Sequence, residues 1–259
     1  MRKIALIIVV LFTAGGTLAR SLPAETSLST LMLDQKDPLF YDQGVIPQGQ
    51  SSSLCGPTSA VNWLQLQNTS QPYSKKDLVE FVRTVGEDLR SQHININNGL
   101  IEIDLVRFLE VLNQHLGVQK KYVVKGRYYN GQGFSEQDVW NDQVQIWLLN
   151  YSEIPRSIFP GPRRGMPGRP GRDIPLPDDM MGDRPLARGN HFVLKVAADK
   201  EKNLIAVIDP ESPGRYTFLR VSFTPQAVYI KGVSAQDLSA FAFGVPLQWS
   251  VLSLLEERN

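Results

Sequence analysis

One cysteine, Cys55, and three histidines, His93, His115 and His191, make up the whole stock of thiol and imidazole in this chain. A single Cys forms no intramolecular disulfide, so its thiol is either a small buried hydrophobe or a nucleophile. The surroundings favour the nucleophile. Ser51-Ser52-Ser53-Leu54 precede it and Gly56-Pro57 follow. That sequence starts a helix, because proline is tolerated in the first turn, where its missing N–H has no partner anyway. The unpaired N–H groups and positive end of a helix favour the ionised, attacking form of a thiol. Gly56, with no Cβ, lets another backbone approach the sulfur closely. Gln48 and Gln50 stand just upstream, and either one offers an amide donor that, with the Cys55 backbone N–H, would steady a developing oxyanion.

A thiol nucleophile needs an imidazole to take and return a proton, and a third group to fix that imidazole's tautomer. His93 lies in a polar stretch with Asn95, Asn97 and Asn98, and His115 closes a helix, where a cation suits the dipole. His191 has no such bland explanation, since it opens a strand. A turn over Asp199-Lys200-Glu201-Lys202-Asn203, centred on Lys200, pairs Phe192 with Ile208, Leu194 with Ala206 and Val196 with Leu204. The same register sets His191 opposite Asp209, with Cβ atoms about 4.5–5.5 Å apart. A slip of one residue would send the two side chains to different faces.

The elements that must hold these groups follow from periodicity. A helix from Ser53 carries Ala60, Val61, Trp63 and Leu64 around much of its circumference. A second, capped by Ser74, has Leu78, Phe81, Val82 and Val85 on one stripe. A third runs from about Asp104 with Leu105, Phe108, Leu109, Leu112 and Leu116, and Gly117 ends it. A fourth is expected from Ser135, carrying Val139, Trp140, Val144 and Trp147. Strands follow at Phe192 to Ala198, Leu204 to Ile208, Tyr216 to Val221 and Val228 to Ile230. Helices first and strands later predict an α+β domain.

Gln50, then Cys55-Gly56-Pro57-Thr58-Ser59-Ala60, then Asn190-His191-Phe192-Val193 and Ile208-Asp209-Pro210, together resemble the C39-like peptidases of the papain superfamily. The resemblance covers roughly 48–221. It implies a papain-like fold, with a central nucleophile helix packed on a C-terminal antiparallel sheet. It also implies Cys55 as nucleophile, His191 as general base and acid, Asp209 as orienter and an upstream Gln as oxyanion donor. The family places that Gln six residues before its Cys. Here the position is Gly49, flanked by Gln48 and Gln50, so the choice between the two stays open. Phytochelatin synthases look similar around their Cys-Gly and His-to-Asp segments and pass the acyl group to an amine. A transglutaminase-like transferase and a binding scaffold without catalysis are also compatible with these residues.

Domain organisation reads as a signal peptide at 1–19, an extended lead-in at 20–47 and one domain at 48–259. Met1-Arg2-Lys3, the apolar run Ile4 to Phe12 and the small residues ending at Ala19 have the order of a secretory signal. The run is too short to cross a bilayer of about 30 Å. The expected product is therefore exported, periplasmic or extracellular, with no membrane attachment after signal cleavage. A net charge of +1 argues against a strong pull toward nucleic acid or anionic lipid. The stretch 155–190 holds eight of the seventeen prolines, six glycines and seven arginines against four aspartates. It buries too little to fold alone, so it is expected as an insertion, a surface for a protein partner, or a processing site at Arg163-Arg164. No metal-ligand cluster and no phosphate loop is evident, so no metal or cofactor is expected. The expected partner of the site is a peptide or protein substrate.

Overall fold

The computed structural model describes residues 23–47, 53–68, 70–126, 135–150, 190–223, 228–232 and 248–258. The expected signal peptide at 1–19, Gln48 and Gln50, and 155–189 of the expected insertion lie outside the described residues. Six α-helices are present among them, besides a 3-10 turn at Ile96–Asn98: α1 (Glu25–Leu31), α2 (Leu39–Asp42), α3 (Cys55–Gln67), α4 (Lys75–Arg90), α5 (Glu102–His115) and α6 (Glu136–Trp140). The strands are β1 (Lys121–Gly126), β2 (Gln145–Asn150), β3 (Asn190–Asp199), β4 (Leu204–Ile208), β5 (Thr217–Phe223), β6 (Val228–Gly232) and β7 (Gln248–Arg258).

Local chemistry accounts for the helix boundaries. Ser74 and Asp77 form a reciprocal capping box at the start of α4, and Ser135 and Asp138 do the same for α6. Gly117, just past α5, has a φ of 65°, the left-handed conformation in which glycine carries no Cβ penalty. The fourth expected helix is corrected: α6 stops at Trp140, and Trp147 belongs to β2. Every residue of β2 is buried, and a run buried on both faces loses the alternation that marks a strand.

The expected papain-like arrangement is overturned by the sheet topology. β7, β2, β3, β4, β5 and β6 pair in that order, all antiparallel, and β6 pairs again with β7. The sheet thus closes into a six-stranded barrel. β7 makes closure possible through its length. One edge pairs with β2, while the other pairs with β6 over Gln248 to Val251 and with β1 over Ser253 to Arg258. A papain-like sheet would have needed only one buried face, as the sequence register assumed. Here Trp147, Leu149, Val193, Ile205, Val207, Leu219, Val221, Val228, Ile230, Val251 and Leu254 form a cluster drawn from all six barrel strands, which is the filled barrel interior. The opposite faces of β2, β3, β4 and β7 pack against the helices in a second, larger core.

The register of β3 against β4 is also corrected. Leu194 faces Ile208 and Lys195 faces Val207, then the ladder shifts, and Ala197, Ala198 and Asp199 face Ala206, Ile205 and Leu204. The turn takes all four residues between Asp199 and Leu204, with Asn203 in the left-handed region at φ 54°. Asp199 Oδ1 accepts from the Lys202 N–H, which fixes this longer turn. A bulge at Val196 then adds a residue.

The lead-in is not extended. It holds α1 and α2, and Leu28, Met32, Leu33 and Phe40 are fully buried in the larger core. The segment's few apolar residues show no period in sequence because the two helices are short and separated by a turn. Phe40→Ala is expected to cost about 3–5 kcal/mol in urea unfolding of the full chain. A loss under about 1 kcal/mol would show that 23–47 is peripheral to folding.

Candidate active site

α3 presents Cys55 as its first residue. Leu54, at the cap position, makes no side-chain cap bond, so the first-turn N–H groups receive no acceptor from that residue. The helix lies across β3. Ser59 Oγ donates to the Phe192 carbonyl at 3.3 Å. A Cβ added to Gly56 would come within 3.2 Å of the Phe192 ring and 3.6 Å of Leu105. The space at Gly56 is therefore taken up by the core. That corrects the expectation that it admits a second backbone to the sulfur: the glycine brings helix and strand together.

This crossing sets Cys55 beside His191, the residue before Phe192. On one side the imidazole lies within electrostatic reach of the Cys55 side chain, which favours its protonated form. On the other, Nε2–H donates to Asp209 Oδ1 at 2.8 Å. With Nε2 engaged, Nδ1 is the ring nitrogen that serves the sulfur. The three residues expected from sequence are thus brought into one line, although not by the register proposed for them. Asp209 follows Ile208, the last paired residue of β4, and continuing the ladder sets it opposite Val193. His191 reaches it as a diagonal neighbour, a separation that a long side chain can span.

Asp209 is held in turn by its own loop. Its Oδ1 also accepts the Glu211 N–H at 2.8 Å, and the Ser212 N–H donates to its backbone carbonyl at 2.9 Å. Oδ2 is buried without a hydrogen-bond partner among the described residues. Exposure differs along the line: Cys55 and His191 retain 9% and 8%, whereas Asp209 retains 1%. A molecule arriving from solvent therefore meets sulfur and imidazole, and the carboxylate acts only through the ring. Burial alone would lower the His191 pKa. The Asp209 carboxylate, with its hydrogen bond to the ring and the interaction with Cys55, overrides it and pushes the pKa up to about 10. The imidazole is therefore a cation at neutral pH, lodged between two groups that carry or develop negative charge.

The other two histidines lie elsewhere. His115 pairs with Asp88 at 2.7 Å on the surface between α5 and α4, and His93 is exposed just after α4. No group of three or more His, Cys, Asp or Glu side chains suited to a metal occurs among the described residues. No helix among them is long and apolar enough to cross a membrane.

Sequence reading missed a second buried cation. Lys195 is fully buried two residues along from Val193 on β3. Its Nζ donates to the Asn141 carbonyl, to Asn141 Oδ1 at 3.2 Å and to the Gln143 carbonyl at 3.0 Å. Burial pushes its pKa down to about 7, against the pull of Asp142 and Glu256. Glu256 also joins Lys125 at 2.6 Å and Gln145 at 2.8 Å, and Lys125 reaches Asp138 at 2.5 Å. This network tops the barrel interior beside Trp147, whose Nε1–H donates to Gln145. One polar residue within an apolar strand was the only hint of it.

Compared with known proteins, the chain matches no family model and no curated sequence.

The two buried cations give opposite pH dependences. Folded His191 titrates near 10 against about 6.5 unfolded. Its contribution to stability is full below 6.5 and is lost as pH rises to 10. Lys195 titrates near 7 folded against about 10.4 unfolded. Its buried charge therefore penalises the fold below 7, and the penalty fades as pH rises toward 10.4. The slopes offset each other between 7 and 10. Lys195→Met is expected to unmask a steady fall in urea midpoint over that range, and His191→Gln a rise. Profiles parallel to that of the parent protein would contradict both assignments.

Proposed function

We propose that the chain is an exported cysteine peptidase that hydrolyses peptide bonds through Cys55, His191 and Asp209. The observation that carries this reading is the His191 ring held by Asp209 Oδ1 at 2.8 Å and interacting with the Cys55 side chain, with the sulfur at the first residue of a helix. Residue types and hydrogen bonds of this kind serve nucleophilic acyl transfer on unrelated folds. The resemblance to C39-like peptidases supports the roles of these residues and is used for the site alone, since its implied fold does not hold.

The reaction follows from the order of the groups. The Cys55 sulfur attacks the carbonyl carbon of the scissile amide, and the electron pair moves to oxygen. The backbone N–H of Cys55 faces that oxyanion as a first-turn amide with no intrahelical partner, and Gln48 or Gln50 adds a side-chain donor. The tetrahedral centre collapses as the C–N bond breaks. His191 Nδ1 gives its proton to the departing amine, leaving an acyl-thioester on Cys55. Water then attacks the thioester carbonyl while the now neutral His191 takes its proton. The C–S bond breaks, the acid leaves and the sulfur–imidazolium pair is restored. Asp209 keeps Nε2 protonated throughout, so Nδ1 is always the nitrogen that works.

Export is part of the proposal. It rests on the charged, apolar and small-residue order of 1–19. A peptide or protein is the proposed substrate, with no metal or cofactor needed for the steps above.

A mixed peptide library incubated with the mature protein, read by mass spectrometry for new termini, tests the reading. Cleavage is expected from the parent protein and none from Cys55→Ala. Asp209→Ala should slow cleavage about 10³- to 10⁴-fold, because nothing then accepts from Nε2–H to fix the His191 tautomer. Acyl adducts on amines without cleavage would assign the chain to acyl transfer. Identical blank profiles from parent and Cys55→Ala would sink the enzymatic reading.

A further inference from the structure

Between α1 and α2, residues 31–36 run across two elements of the site at once. On one side they meet α3. Gln65 Nε2 donates to the Leu31 carbonyl at 3.1 Å, the Leu33 N–H donates to Asn62 Oδ1 at 2.7 Å, and Asn62 Nδ2 donates back to the Leu33 carbonyl at 2.9 Å. Asn62 and Gln65 are buried polar residues of α3, and the strap supplies backbone partners that such residues require. On the other side lies the Asp209 turn. The Gln35 N–H donates to the Pro210 carbonyl at 2.8 Å, and Gln35 Nε2 donates to Glu211 Oε1 at 2.7 Å. Lys36 adds a looser, exposed ion pair to Glu211 at 3.5 Å, worth little in water.

The Glu211 N–H is itself one of the two donors on Asp209 Oδ1. Gln35 therefore grips the turn at two adjacent residues: the Pro210 carbonyl through its backbone and the Glu211 side chain through its amide. We propose that Gln35 is a positioning residue for the site, fixing the turn that aims the Asp209 carboxylate at His191 while the same strap is anchored to the helix of Cys55. The catalytic consequence rests on the peptidase reading, but the geometry does not. Gln35 touches neither His191 nor the sulfur among its hydrogen bonds, and acts through the Pro210-Glu211 backbone.

A loosened turn weakens the His191–Asp209 bond, so the imidazole should lose its proton at lower pH. That effect separates positioning from general support of the fold. The experiment follows the His191 ring resonances by NMR across pH in the mature full chain. The proteins are the parent, Gln35→Ala, Glu211→Ala and Glu211→Gln, with peptide cleavage measured in parallel. In Gln35→Ala and Glu211→Ala the His191 midpoint should fall from about 10 toward the ordinary 6.5. Their kcat should drop about ten- to a hundredfold with KM unchanged within about twofold. Glu211→Gln retains an acceptor oxygen for the Gln35 amide and should keep both values near the parent's. If Gln35→Ala does not fold, Glu211→Ala removes the same amide contact from the exposed side. A parent-like midpoint and kcat in both alanine variants would overturn the positioning role and leave the peptidase reading standing. A shifted midpoint in variants of a parent protein that cleaves nothing would uphold the positioning role and sink the peptidase reading.

Discussion

The close crossing of α3 over β3 is the contact on which the site depends. Sulfur and imidazole belong to elements separated by about half the chain, and their meeting is decided by how near the helix lies to the strand. Gly56 against the Phe192 ring and Ser59 on the Phe192 carbonyl set that distance from either end of one helical turn. A larger residue at 56 would meet an aromatic ring that is itself buried, with no slack to absorb the push. Cys55 and His191 are the neighbours of Gly56 and Phe192 in sequence, so any change in that packing reaches the sulfur and the imidazole directly.

The barrel supplies the stiffness that the crossing needs. β3 is buried on both faces, with Phe192 and Leu194 against the helices and Val193 inside the barrel. It is also paired on both edges, with β2 and β4. A strand held on four sides has little freedom to withdraw His191 from the thiol. The price of filling the interior with side chains is the buried Lys195, which is tolerated because three oxygens from the 141–143 loop replace its water.

Much of this could be read from the sequence, for reasons that differ by element. α4 and α5 were legible because their apolar stripes have the helical period and their ends carry Ser74 and Gly117 as punctuation, and α3 because apolar residues ring it after Pro57. Cys55, His191 and Asp209 were legible because the chain offers one thiol and one histidine without a bland role. The register that first linked His191 to Asp209 was wrong, since neither the bulge at Val196 nor the four-residue turn leaves a mark in a hydrophobic pattern. β2 and β7 were missed for lack of alternation, and closure was missed with them. Gln35 gave no signal at all. Its importance comes from Glu211, 176 residues further along, and single-sequence periodicity contains nothing about such a pairing.

The length of β7 has a consequence for the order of events in folding. It joins β1, β2 and β6, so Lys121 finds Arg258 and Ile146 finds Leu255 only when segments remote in sequence come together. Pairings of that kind close large loops before they return any energy, and they form late and slowly. Until they form, β2 has an unpaired edge and the barrel interior is open. β3 is then not yet the rigid support against which α3 brings its thiol to an imidazole. The chain thus passes through its growing and collapsing stages with Cys55 and His191 unassembled, and their meeting arrives as the last product of the topology.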